Sequence, residues 1–309
     1  MFRGNKAEDE GDAIYTHGDF SYSPVNIYDC VFVNGNSVKG KIHEYSSNGS
    51  FNSLSDLIND NDDTEISLNR NYTFNSTFVD DYLFTPGIKI NRSLTINGNG
   101  FTIDGSHKAR IFNISSDVHV KFLNINFING NADRDFRVNG GAIYSLYNDC
   151  CLVENCTFIA NTANFGGAMY GCTVKNSVFI NNNAKYDGGA VNSLYNDSCL
   201  VENCTFIANT AYIGGAMYGC TVKNSVFIDG NEKPDGGVIF LNYKDIGAKN
   251  ITFSGNKADY GGAMAECTAY NCIFSGNTAN INGGALYKCI ANLLRALISN
   301  SFHSGWCFI

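Results

Sequence analysis

The sequence predicts an all-β fold, a right-handed parallel β-helix wound from coils of about two dozen residues. Three observations carry that prediction. Residues 152–180, LVENCTFIANTANFGGAMYGCTVKNSVFI, recur almost unchanged at 200–228, displaced by 48 positions. Within that unit lie two shorter ones, because Phe127, Phe158, Phe179, Phe206, Phe227, Phe253 and Phe274 mark similar segments 21 to 31 residues apart. Gly-Gly pairs stand at 166–167, 188–189, 214–215, 236–237, 261–262 and 283–284, eight or nine residues after six of those phenylalanines, with an earlier pair at 140–141. Strands this short, with no helical apolar period between them, cannot bury a face alone and must stack on their copies, roughly 4.8 Å apart. A β-propeller needs four hairpin-linked strands per blade, and leucine-rich repeats need leucines that are missing here.

Taken in order, residues 1–36 read as partial coils of a preceding segment. FRGNKAEDEGDAIY matches the FSGNKADYGGAM segment at 253–264 with Asp12 in place of the second glycine, and YDCVFVNGN resembles NCTFIAN. Residues 37–50 are rich in Ser, Gly and Asn and read as a linker. At 51–60, FNSLSDLIND places Leu54, Leu57 and Ile58 on one face of a short capping helix near 53–59, with Ser53 as its N-cap. Such a helix plugs the open end of a solenoid. Strand-like runs at 65–74, 88–96 and 101–104, divided by NGNG at 97–100 and Asp104-Gly105, make 51–130 the helix cap and first coils. Tandem coils fill 131–290, and 291–309 is expected to be an irregular or truncated tail, with Arg295 at the expected Phe position.

Three residues before the seven phenylalanines stand Asn124, Asn155, Asn176, Asn203, Asn224, Asn250 and Asn271. Asn tolerates the left-handed backbone region, so this column is expected to turn the chain in register and to form an Asn ladder, each amide bonding its copies above and below. The residues after each Gly-Gly pair are usually Ala and an apolar residue, consistent with a tight corner feeding a short strand.

The twelve cysteines follow the repeat. Cys156, Cys204 and Cys272 precede phenylalanines by two, alternating with Ser177 and Ser225, so same-column thiols are expected two coils apart, beyond disulfide reach, as small packing residues. Cys267 and Cys289 each lie six residues after the first glycine of adjacent coils and are candidates for a disulfide or for stacked thiols. The five histidines share no spacing with these thiols, and the sequence implies neither metal nor cofactor.

Exposed aromatics suggest a binding face. Tyr144, Tyr170, Tyr218 and Tyr287 follow the Gly-Gly-Ala turn at a common offset, with Phe240 in the same column, and could stack on sugar rings or pack as a half-buried ladder. Catalysis on this architecture would need carboxylates clustered on one sheet face. Asp187 and Asp235, with Asp259 nearby, are the candidates, but a spacing of 48 residues puts the first two about 10 Å apart. Asp62-Asp63 and Asp80-Asp81 read as solvated turn carboxylates. Among the many Asn-x-Ser/Thr matches, Asn71 and Asn75 are the more plausible glycan acceptors.

Net charge of -8 with scattered basic residues argues against nucleic acid as a partner. The start, MFRGNKAEDEGD, lacks the pattern of a signal peptide, and no run approaches the roughly 20 apolar residues that span a bilayer, so no membrane insertion by this chain is expected.

The FxxN and GGA pair, repeated on alternating coils, resembles the repeats of chlamydial polymorphic outer-membrane proteins. Residues 50–290, with the helix-capped start, the LTINGNGFTIDG and RIFNI segments and then NxTFxxNxAxxxGGAIY-type coils, look more like the adhesin-like surface proteins of methanogenic archaea. The resemblance implies a pectate-lyase-like solenoid, secreted or held at the cell surface, that adheres to a glycan or protein of another cell; with no clustered carboxylates in the sequence, the expectation is a non-enzymatic adhesin. It also favours stacked over bonded thiols at Cys267 and Cys289, since those organisms are anaerobes. Two other readings stay open: a polysaccharide lyase or hydrolase on the same fold, which the absence of Asn-Thr-Asp and Gly-His-Gly motifs disfavours, and a structural stalk or spacer, which recent duplication of a 48-residue unit would suit.

Overall fold

The computed structural model describes residues 48–60, 62–76, 81–132, 139–146, 150–193, 199–232, 237–240 and 247–292, with short strands between residues 2 and 43 and at 295–297 and 300–301. The chain winds through four parallel sheets, here A to D. One coil shows the order: Cys151–Glu154 in sheet A, Thr157–Ile159 in sheet B, Thr162–Phe165 in sheet C and Met169–Tyr170 in sheet D. The next coil repeats it with Thr173–Lys175, Val178–Ile180, Asn183–Asp187 and Val191–Asn192. Among the described residues, sheets A and B each stack ten strands, D nine and C seven.

Alternation along each strand puts one residue inward per step. In sheet B the inward position is the phenylalanine: Phe127, Phe158, Phe179, Phe206, Phe227, Phe253 and Phe274 are buried, with ring centroids of successive coils 4.6 to 5.3 Å apart and nearly parallel. Sheet D contributes Phe112, Ile143, Met169, Val191, Met217, Ile239, Met264 and Leu286 in one register column, and sheet C a column of small alanines.

The corners explain the remaining repeat residues. All seven asparagines before the phenylalanines have φ of 50 to 56° and turn the chain from sheet A to sheet B. The Gly-Gly pair turns it from C to D. Its first glycine has positive φ at Gly166, Gly188, Gly214, Gly261 and Gly283. Its second lies so close to the coil above that a Cβ on Gly189 would overlap the carbonyl oxygen of Gly215.

The capping helix spans Phe51–Asn59, and its N-cap is Ser50, not Ser53. Ser50 is extended, and its Oγ accepts from the Ser53 backbone N–H at 3.1 Å. Starting there adds Phe51 to the apolar face: Phe51, Leu54 and Ile58 are buried, and Phe51 meets Phe74 edge-on at 5.4 Å. Arg92 closes the other end, its guanidinium donating to Ile58 O and Asp63 O, which complements the helix dipole.

Other expectations shift. Within 37–50, expected as a linker, Val38–Lys39 pairs in parallel with Ile14–Tyr15, Ile42–His43 with Val25–Asn26, and Gly49 bridges Tyr72. In the tail, Arg295–Leu297 continues sheet B against Ile273–Ser275, so Ala296, not Arg295, takes the register position opposite Phe274. Asn300–Ser301 continues sheet C. The strand ladder thus reaches beyond the phenylalanine pattern that announces it.

Candidate functional site

The outward face of sheet D carries the tyrosines singled out above. Register aligns Tyr144, Tyr170, Asn192, Tyr218, Phe240, Ala265 and Tyr287 on successive coils, so Asn192 and Ala265 break the column into short runs. Tyr144 and Tyr170 pack at 5.6 Å, as do Tyr218 and Phe240. Tyr170 is only 3% exposed, and the Tyr144 ring faces the guanidinium of the buried Arg110, which also donates to the carbonyls of Pro86, Asn139 and Gly140. Tyr287 packs on Tyr260 at 4.9 Å. These rings spend much of their surface on one another and on the glycine corners.

A more exposed aromatic strip lies one corner earlier, at the end of sheet C. Ala163 pairs with Ala184, but Phe165 pairs with Asp187, because the second strand carries one extra residue. The resulting bulge extrudes Tyr186, whose ring lies 5.3 Å from that of Phe165 and is 41% exposed. On the following coil Tyr212 is 47% exposed, and the N–H groups of Tyr212 and Ile213 both donate to Tyr186 O at 2.8 Å. The Lys185 ammonium sits 5.2 Å from the Tyr186 ring centroid. A second bulge, between Lys257–Tyr260 and Thr278–Asn282, leaves Ile281 43% exposed beside Tyr260.

The bulge has a sequence signal. Eight residues separate Phe158 from Gly166 and Phe206 from Gly214, whereas nine separate Phe179 from Gly188 and Phe274 from Gly283. The longer spacing accommodates the bulge.

A cleft of about 540 Å³ opens on the outward face of sheet A near the capped end, lined by Thr64, Glu65, Leu94, Thr95, His119, Val120, Lys121, Cys150 and Leu152. Glu65, Thr95, Lys121 and Leu152 are register neighbours on four successive coils. Lys121 also pairs with Glu154 at 3.1 Å. The lining offers one carboxylate, one ammonium and one imidazole, suited to hydrogen bonding a polar ligand.

The candidate carboxylates are spread out. Asp187 is half-buried between Phe165 and Ile213, and desolvation pushes its carboxyl above the usual range. Asp259 accepts from Asn280 Nδ2 at 2.6 Å. Asp62 and Asp63 are exposed, while Asp235, Asp80 and the Asp81 side chain lie outside the described residues. Asn71 is exposed, with its Oδ1 accepting from Thr102 N–H, and Asn75 is half-buried. Among the described residues, no group of three His, Cys, Asp or Glu side chains could hold a metal ion, and no helix is long and apolar enough to cross a membrane.

The asparagines form two ladders. In the expected one, Asn124 donates to Asn97, Asn203 to Asn176, Asn250 to Asn224 and Asn271 to Asn250, at 2.8 to 3.2 Å, on the exposed side of the corner. The buried ladder stands three residues after the phenylalanine instead. Asn161, Asn182 and Asn209 form one run and Asn256 and Asn277 another, all at most 1% exposed, with amide-to-amide bonds of 2.8 to 2.9 Å. Gly130 and Gly230 end the runs by donating N–H to Asn161 and Asn256.

The thiols form a column of which spacing in the sequence singled out only Cys267 and Cys289. Cys151, Cys172, Cys199 and Cys220 are register neighbours on consecutive coils, and Cys267 and Cys289 continue the column further up. Cys199 and Cys220 are disulfide-bonded, which spacing within the 48-residue unit had not suggested, and Cys267 Sγ lies 3.8 Å from Cys289 Sγ without a bond. Cys156 and Cys204 alternate with Ser177 and Ser225, whose hydroxyls accept from the Cys156 and Cys204 N–H groups. Burial pushes both thiols up to about 12, which leaves them inert packing groups at neutral pH.

With this geometry in place, comparison with known families adds a description. Residues 49–165 match the family of pectate-lyase-like adhesive domains. The adhesive-domain match begins at Gly49, beside the helix cap, contains the whole sheet A cleft and ends at Phe165, the first ring of the strip. Residues 271–288 match the Chlamydia polymorphic membrane protein repeat. No curated protein and no solved structure matches the chain. Both family descriptions fit a surface adhesin-like protein on a parallel β-solenoid.

Proposed function

We propose that this chain acts at the cell surface as a non-enzymatic adhesin that holds a carbohydrate chain along the strip formed by Phe165, Tyr186 and Tyr212. The observation that carries the reading is the extrusion of Tyr186 by a bulge. A solenoid needs no such residue for its core, and the bulge leaves a ring open to solvent against Phe165 on one coil, with the exposed Tyr212 on the next coil bonded through its backbone N–H to Tyr186 O. Flat apolar rings spaced at the coil repeat suit the C–H faces of consecutive sugars, and Lys185 and the backbone corner supply polar contacts at the edge. The adhesive-domain match supports the same role.

The test is co-sedimentation of the full chain with a panel of insoluble plant and microbial polysaccharides, reading protein depletion and newly released sugar ends together. Depletion without released ends is expected. Released ends would replace this reading with a polysaccharide-active enzyme, for which the sheet A cleft would be the site to examine.

A further inference from the structure

The column of six cysteines has more order than packing requires. Its members fall into pairs on adjacent coils: Cys151 with Cys172, Cys199 with Cys220, and Cys267 with Cys289. Each pair is 21 or 22 residues apart in sequence. The middle pair is bonded with a Cα separation of 4.9 Å. In-register neighbours on parallel strands have about that separation, within the 4.4–6.8 Å that disulfides use. The outer pairs are placed for the same bond: Cys151 and Cys172 precede the paired residues Leu152 and Thr173 and are both free thiols, and the Sγ atoms of Cys267 and Cys289 are 3.8 Å apart.

We propose that the column is a modification site that closes into three inter-coil disulfides, Cys151–Cys172, Cys199–Cys220 and Cys267–Cys289, each stapling one coil to the next. The pairing is fixed by geometry. Once Cys199 is bonded to Cys220, Cys172 has only Cys151 left in register, and the strand Gly247–Lys249 separates Cys220 from Cys267. The oxidant is a small-molecule disulfide. The thiolate of Cys289, the more exposed partner, attacks one sulfur of that disulfide, forming a mixed disulfide and releasing one small thiol. Cys267 then loses its proton and attacks Cys289 Sγ, releasing the second small thiol and leaving the protein bond, so two protein thiols are oxidised as one disulfide is reduced. Cys289 is 9% exposed against 4% for Cys267, which assigns attack to Cys289 and resolution to Cys267. Cys151 and Cys172 are at most 1% exposed, so their bond must form during folding, before the coils close over them.

The experiment is to fold the full chain in the presence of oxidised glutathione, unfold it in N-ethylmaleimide, count labels and map the remaining disulfides by mass spectrometry. Twelve cysteines less three pairs leaves six labelled. Six labels with the three stated pairs is the expected result. Ten labels, with only Cys199–Cys220 bonded, twelve labels, or a map joining Cys172 to Cys199 would overturn the proposal. The Cys267→Ser variant serves as a second measure that does not depend on all the coils: Cys289 should then carry a glutathione adduct, and an unmodified Cys289 would contradict its role as attacking thiol.

Discussion

Oδ1 of Asn182 accepts twice from Asn161, at 3.0 Å from the backbone N–H and at 2.9 Å from Nδ2. The Asn182 amide in turn donates to Phe158 O at 3.0 Å and to Asn209 Oδ1 at 2.9 Å. One side chain therefore satisfies buried groups on three coils, where water cannot substitute. Replacing Asn182 by Ala leaves the Phe158 carbonyl and the Asn161 N–H without these partners, at about 1–3 kcal/mol each. Urea unfolding should show a loss of roughly 3 kcal/mol or more. Asn176→Gly, at the exposed corner with φ of 50°, should lose less than about 1 kcal/mol, because glycine adopts that backbone freely.

The phenylalanine stack should be equally demanding. Phe206 lies between Phe179 and Phe227, with centroids at 4.7 and 4.6 Å, and is 1% exposed. Phe206→Ala should cost about 3–5 kcal/mol by the same measurement, through lost burial and the cavity left in a closed stack. Phe206→Leu should recover most of it.

The Cys199–Cys220 bond closes a loop of about 20 residues. Cys220→Ser should lower stability by about 3 kcal/mol under oxidising conditions and change little once the parent is reduced. Thermal unfolding with and without reductant separates the two.

Asp187 supplies a pH dependence. Burial raises its folded pKa above the unfolded value, so the folded chain binds that proton more tightly; the contribution favours folding below the ordinary carboxylate range and is lost as pH rises through the folded pKa. Asp187→Asn should therefore raise Tm at pH 7 and leave it nearly unchanged near pH 3, below the ordinary carboxylate range, where the wild-type carboxyl is mostly protonated in both states.

The coil, the inward phenylalanine and the Gly-Gly corner were legible because each is a backbone or packing necessity repeated at every turn. The Asn column before each phenylalanine was visible for the same reason, yet the better-buried ladder at Asn161, Asn182, Asn209, Asn256 and Asn277 was harder to assign. Both columns recur with the coil, and only depth distinguishes a solvated corner from a sealed one. The helix starts two residues earlier than expected because burial of Phe51 overrides the weak helix propensity of Phe51 and Asn52, which makes Ser50 the cap. Cys172 and Cys220 stand six residues after Gly166 and Gly214, the offset that singled out Cys267 and Cys289, so that part of the thiol column was legible; Cys151 and Cys199 follow longer segments, eleven residues after Gly140 and Gly188, and their spacing hides the shared register. Tyr186 was hidden by the same counting, since the extra residue that exposes it looks like ordinary variation in coil length.

The most direct test of the binding reading is an isotherm of the full chain and of Tyr186→Ala/Tyr212→Ala on whichever polysaccharide depletes the wild type, with thermal unfolding confirming that both are folded. Both rings are already more than 40% exposed, so their loss should leave Tm nearly unchanged. The account predicts at least about a tenfold weaker Kd for the variant, roughly 1.4 kcal/mol. An unchanged Kd on a folded variant would contradict the aromatic strip as the binding face.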